Sequence, residues 1–118
     1  MLLTTIINGT EYPLSTTLRV AYKVQGQHNH KPYTEVFQAL GDMTLEQQIA
    51  ILYASFQCAN PDQAKFITQQ QFLDFYLDNY NLKTVMDQLQ AVVKGIMGMD
   101  EAPAPQQSGA ETEVTQGN

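Results

Sequence analysis

The chain is short of charge, nearly free of cysteine and without tryptophan. Charged residues make up 15% of its 118 residues, six Lys and Arg against twelve Asp and Glu, for a formal net charge of -6. So few cations build no basic stripe able to displace counterions from phosphates, which argues against a nucleic-acid partner. The single cysteine, Cys58, excludes an internal disulfide and suits a reducing compartment. No apolar run approaches the ~20 residues that a bilayer span requires. Met1-Leu2-Leu3-Thr4-Thr5-Ile6-Ile7 has neither the positive start nor the small-residue cleavage site of a secretory signal. By elimination the expected address is cytoplasmic, with no membrane.

Apolar residues reach 43%, and much of the uncharged remainder is Gln, Asn and Thr, a globular composition at a length suited to one domain. The charge is unevenly spread. Residues 1–99 carry eight acids against Arg19, Lys23, Lys31, Lys65, Lys83 and Lys94, whereas Asp100, Glu101, Glu111 and Glu113 follow with no cation among them. Beyond Asp100 there is almost nothing to bury, so residues 1–99 are expected to form the domain and 100–118 an acidic, disordered tail.

Leu2 to Ile7 is apolar and β-branched, Asn8-Gly9 tolerates two successive positive φ angles, and Thr10-Glu11-Tyr12-Pro13-Leu14 resumes an extended pattern, which together predict a β-hairpin. Pro13 lacks a donor and favours a sheet edge. The next segment admits two readings. Leu18, Val20, Tyr22 and Val24 alternate as in a half-buried strand, while a Ser15 or Thr16 cap would start a helix with Leu18, Ala21, Tyr22 and Gln25 on one face; the helix is preferred. Gly26 to Lys31 reads as a polar loop. Pro32 then opens a short helix carrying Val36, Phe37 and Leu40, and Gly41 ends it.

Thr44-Leu45-Glu46-Gln47 and Thr68-Gln69-Gln70-Gln71 both have the spacing of a capping box, so helices are expected from about Leu45 and Gln69. Asn60-Pro61 stops the first. The second is rich in aromatics, with Phe72, Phe75, Tyr76 and Tyr80. Asn81 can cap a last helix in which Leu82, Val85, Met86, Leu89, Val92, Val93, Ile96 and Met97 recur at helical spacing. The expected fold is mainly α, an α+β arrangement of an N-terminal β-hairpin followed by a compact bundle of about four to five helices.

Residues that carry chemistry are sparse. His28 and His30, with Cys58 or Asp42, match no closed zinc spacing. Cys58 falls near the end of an apolar helix, where a lone thiol is usually a small core residue. Asp74 and Asp78 enclose Phe75, Tyr76 and Leu77 where a calcium loop would alternate oxygen ligands around a glycine. No glycine-rich phosphate loop occurs. Neither an enzyme nor a cofactor or metal site is expected. What remains is apolar surface, and the candidates for partner binding are Tyr22, Tyr33, Phe37, Tyr76, Tyr80, Met86 and Met97, because aromatic and methionine side chains suit adaptable protein contacts.

Three stretches, Ile6-Ile7-Asn8-Gly9-Thr10-Glu11-Tyr12, Leu18 to Gln25 running into Asn29-His30-Lys31-Pro32-Tyr33, and Val92-Val93-Lys94-Gly95-Ile96-Met97-Gly98, resemble the tail assembly chaperones of long-tailed, non-contractile bacteriophages of Gram-positive hosts. With the helices between them, the likeness spans most of residues 1–99. It implies a mainly helical protein of the host cytoplasm that coats the tape measure protein, keeps it soluble and is absent from the mature virion. It also implies recruitment of tail tube protein, through a longer frameshifted form diverging near Asp100, and homo-oligomers. Ile6, Ile7 and Tyr12 on the hairpin edge are the candidate self-association residues. The competing classes are a structural head–tail or tail component and a small metal-responsive module using His28, His30 or the Asp74–Asp78 pair.

Overall fold

A computed structural model describes residues 3–98. The tail expected over 100–118 therefore lies outside the described residues. Strand β1 (Thr4–Ile7) and strand β2 (Thr10–Pro13) form an antiparallel pair with Ile7 opposite Thr10. Asn8 and Gly9 take φ of 53° and 81°, the two successive positive angles that match a tight hairpin turn to strand twist. Thr5 and Ile7 face inward and are buried, with Tyr12 and Leu14 covering the same side.

Five helices follow: α1 (Leu18–Gln27), α2 (Tyr33–Gln38), α3 (Leu45–Ala59), α4 (Gln69–Asn79) and α5 (Leu82–Ile96), with one-turn 3-10 helices at Leu40–Asp42 and Gln63–Lys65. The segment left open by its sequence is thus helical. Its buried stripe is Val20, Ala21 and Val24, however, and not the expected Leu18, Ala21, Tyr22 and Gln25. The helix also continues through Gly26 and Gln27, shortening the expected loop to 28–31.

Helix α3 is the hub. Gln48, Ile49, Ile51, Leu52, Tyr53, Ala54, Ser55 and Phe56 are all buried, which a helix achieves only when elements cover it on several sides, and here α1, α4, α5 and β2 pack on it. Both capping boxes are formed, with Gln47 N–H donating to Thr44 Oγ1 (3.1 Å) and Gln71 N–H to Thr68 Oγ1 (3.2 Å). Asn81 Oδ1 caps α5 by accepting from Thr84 N–H at 2.9 Å.

Several of the aromatics form one chain of contacting rings through the core. Tyr12 meets Phe56 edge-on at 5.4 Å between centroids, Phe56 meets Phe72 at 5.3 Å, Phe72 stacks on Tyr76 at 4.7 Å and Tyr76 meets Tyr80 at 4.4 Å. Each such pair adds about 0.5–1.5 kcal/mol beyond its burial. The chain thereby ties β2, α3 and α4 together and absorbs rings that composition alone leaves available to partners.

Candidate interaction surface

Among the described residues no group of three or more His, Cys, Asp or Glu is placed to hold a metal ion. His28 and His30 lie in the loop after α1, where Asn29 and His30 adopt left-handed φ of 60° and 62°. The Cys58 thiol is half-buried, and burial pushes its pKa above the ordinary value although the Lys23 and Arg19 charges pull the other way. At neutral pH it is protonated and a poor nucleophile. No described helix is long and apolar enough to cross a membrane.

The seven partner-binding candidates divide sharply. Tyr22, Tyr33 and Met97 are exposed. Tyr80 and Met86 are partly buried against the core. Phe37 and Tyr76 are buried and drop out as surface contacts, Tyr76 being 1% exposed in the ring chain. Its hydroxyl lies 2.6 Å from Thr5 Oγ1 and donates to Gln88 Oε1 at 2.8 Å, so its polar end is also used internally.

The hairpin edge is similarly occupied. The outward N–H and C=O of Ile6 meet the Tyr80 hydroxyl at 3.1 and 2.5 Å, and Asn60 Nδ2 donates to Pro13 O at 2.9 Å. Side chains of the same molecule thus take the outward backbone groups of Ile6 and the carbonyl of Pro13, part of what a second copy's strand would use. Ile7 is core and Tyr12 half-buried, leaving Ile6 as the one exposed member of the proposed self-association set.

Several exposed side chains were not among the partner-binding candidates. Leu18 and Phe66 are 76% and 80% exposed, and Leu45, Leu77 and Leu82 are also open to solvent. They fall into three places. On α1, Leu18 and Tyr22 (68% exposed) stand one turn apart, with Arg19 and Lys23 beside them and the Arg19 guanidinium 5.9 Å from the Tyr22 ring centre. Between the hairpin turn and α4, a groove of about 340 Å³ is lined by Phe66, Phe75, Asp74 and Asp78 among others. Where α3 and α5 begin and α4 ends, Leu45, Leu77 and Leu82 surround a smaller apolar notch of about 80 Å³.

The signal for these residues was weak for a physical reason. Leu45 and Leu82 are the first residues of their helices, directly after the caps, and Leu18 begins α1. A first-turn residue belongs to the helical spacing without being drawn into the core. No protein-family model, curated protein or solved structure matches this chain.

Proposed function

We propose that this chain is a tail assembly chaperone of the kind its sequence resembles, a protein of the infected host cytoplasm that covers the tape measure protein until tail tube subunits replace it. The observation carrying this reading is the surface. Nine large apolar side chains, Ile6, Leu18, Tyr22, Tyr33, Leu45, Phe66, Leu77, Leu82 and Met97, are exposed on a small body with no group of three or more His, Cys, Asp or Glu placed to hold a metal ion among the described residues. Apolar surface without a structural role is what a protein-binding module presents.

The leading contact is the α1 face, where Leu18 and Tyr22 at i and i+4 match the spacing of an amphipathic helix laid alongside. Covering these two side chains contributes roughly 1.5–3 kcal/mol each at full burial, enough for a weak and reversible contact. Many such contacts along one long chain would hold through avidity and still be displaced one at a time. The notch at Leu45, Leu77 and Leu82 offers a second apolar contact of the same kind.

Co-expression with the tape measure protein of the same phage tests the reading. The expected result is a soluble stoichiometric complex that forms only with this chain present and weakens at least tenfold in Leu18→Gln/Tyr22→Gln. A tape measure protein that stays insoluble beside a folded, indifferent partner would overturn it.

A further inference from the structure

We propose that copies of this chain associate head to tail, with α1 of one copy seated in the groove between the hairpin turn and α4 of the next. Arg19 and Lys23 then face Asp74 and Asp78, and Leu18 and Tyr22 meet Phe66 and Phe75. The proposal is independent of the chaperone reading, although both use α1.

The two surfaces match in charge and in apolar content. On α1, Leu18, Arg19, Tyr22 and Lys23 are exposed on the side opposite the buried Val20 and Val24, and the helix carries no acid. The groove, about 340 Å³, is lined by Asp74 and Asp78, by Phe75 and by Phe66, whose ring is 80% exposed. The Arg19 guanidinium already stands 5.9 Å from the Tyr22 ring centre, and Phe66 offers it a second aromatic face.

Acids are plentiful on this body, so placement and not number singles out the pair on α4. Outside the ion pairs Lys31–Glu35, Lys65–Asp62 and Lys83–Asp87, the described residues keep the cations Arg19, Lys23 and Lys94 and the acids Glu11, Asp42, Glu46, Asp74 and Asp78. Asp74 and Asp78 are the two of these acids that stand one turn apart on one helix, as Arg19 and Lys23 do among the cations, and each pair spans ~6 Å along its axis. Like charges at i and i+4 work against their own helix, so both pairs gain by meeting each other. Lys65, next to Phe66, is turned to Asp62 at 3.9 Å and leaves the groove acidic.

Helices α1 and α4 each pack on α3, so a copy that inserts its α1 still presents its own groove. Such a contact is heterologous, and it passes from copy to copy until it closes into a ring or runs on as a filament. It leaves the hairpin edge unused. A partner helix that buries Leu18 and Tyr22 competes with the neighbouring copy for α1.

The test uses the full chain alone, so its failure is separate from failure of the chaperone reading. Sedimentation velocity is run over a concentration series at about 10 mM salt, where charges act over ~30 Å, and at about 1 M, where they act over ~3 Å. The wild type is expected to gain mean mass with concentration at low salt and to gain less at high salt. Arg19→Glu/Lys23→Glu and Asp74→Lys/Asp78→Lys each set like charges face to face and should weaken association at least about tenfold. Their equimolar mixture should regain it, because every reversed face then meets a reversed partner. The neutral variants Arg19→Gln/Lys23→Gln and Asp74→Asn/Asp78→Asn should each associate less and, when mixed, stop at a one-to-one pair, since a single wild-type contact remains. A wild type that stays monomeric at low salt, a reversed mixture no more associated than its components, or a neutral mixture that forms no pair would each overturn the proposal.

Discussion

Replacing Tyr76 by Phe probes the join between hairpin and helices most directly. The ring is retained, so the stacking on Phe72 and Tyr80 at 4.7 and 4.4 Å survives, and the loss is confined to the hydroxyl. That hydroxyl has one proton, given to Gln88 Oε1, so Thr5 Oγ1 donates to it across 2.6 Å. Gln88 is half-buried and can turn to water, but Thr5 is 2% exposed and keeps only Tyr80 Oη at 3.4 Å. A buried donor stripped of its partner costs about 1–3 kcal/mol. We therefore expect Tyr76→Phe to destabilise by about 2 kcal/mol and lower Tm by roughly 8–16 °C. Thr5→Val removes the same bond from the other side. The double variant Thr5→Val/Tyr76→Phe should be less destabilised than the sum by at least about 1 kcal/mol, since no orphaned donor remains. Urea titration followed by far-ultraviolet circular dichroism measures all three. A loss under about 0.5 kcal/mol in Tyr76→Phe, or strict additivity, would refute the account.

Burial raises the Tyr76 pKa above its ordinary value near 10. With the folded-state value raised, the protonated hydroxyl's contribution is complete below the unfolded value and is lost as pH rises beyond it. Stability should then fall above about pH 10 by up to ~1.4 kcal/mol per pH unit for this group, and less steeply in Tyr76→Phe, as read by urea midpoints against pH. Gly26 and Gly95 should respond oppositely to alanine in thermal melts. A Cβ at Gly26 meets nothing within 4 Å, so Gly26→Ala should stabilise by about 0.5–1 kcal/mol, whereas at Gly95 it meets Thr16 at 2.5 Å and overpacking costs about 1–3 kcal/mol against a helix-propensity gain of about 1. Asn81→Ala should lose about 0.5–2 kcal/mol by uncapping α5, with Asn81→Ser restoring most of it in the same assay. Leu89→Ala should cost about 2–5 kcal/mol because Leu89 is fully buried, while Leu18→Ser and Leu82→Ser should stay within about 0.5 kcal/mol by urea titration.

What could be read from the sequence was what neighbouring residues decide between themselves. Asn8-Gly9 sets a turn without reference to the rest of the chain. Thr44 with Gln47 and Thr68 with Gln71 satisfy one another's backbone groups within a single turn, and Asn81 Oδ1 accepts from Thr84 N–H, so the starts of α3, α4 and α5 were legible. The buried face of α1 was not. Val20, Ala21 and Val24 lie inward because small and β-branched residues pack against α3, and spacing within α1 equally allows the face carrying Leu18 and Tyr22. The one-turn helix at Gln63–Lys65 has no comparable local signature, and its neighbour Phe66 is consequently an exposed ring that composition could not separate from the buried ones.

The same reasoning explains why the partner candidates came out mixed. Side-chain type does not separate Tyr22 from Tyr76, since both are tyrosines on helices with apolar neighbours. Their fates diverge because α3 is enclosed. A helix enclosed on several sides in a body this small needs each covering element to turn one face inward, and the opposite face is left to water. On α4 the inward face carries Phe72 and Tyr76 and the outward face carries Leu77. On α1 the outward face carries Leu18 and Tyr22. Leu18 and Tyr22 add to the exposed apolar area and not to the core, and that is the ground on which the proposed docking surface is placed on α1 and not at the better-hidden rings.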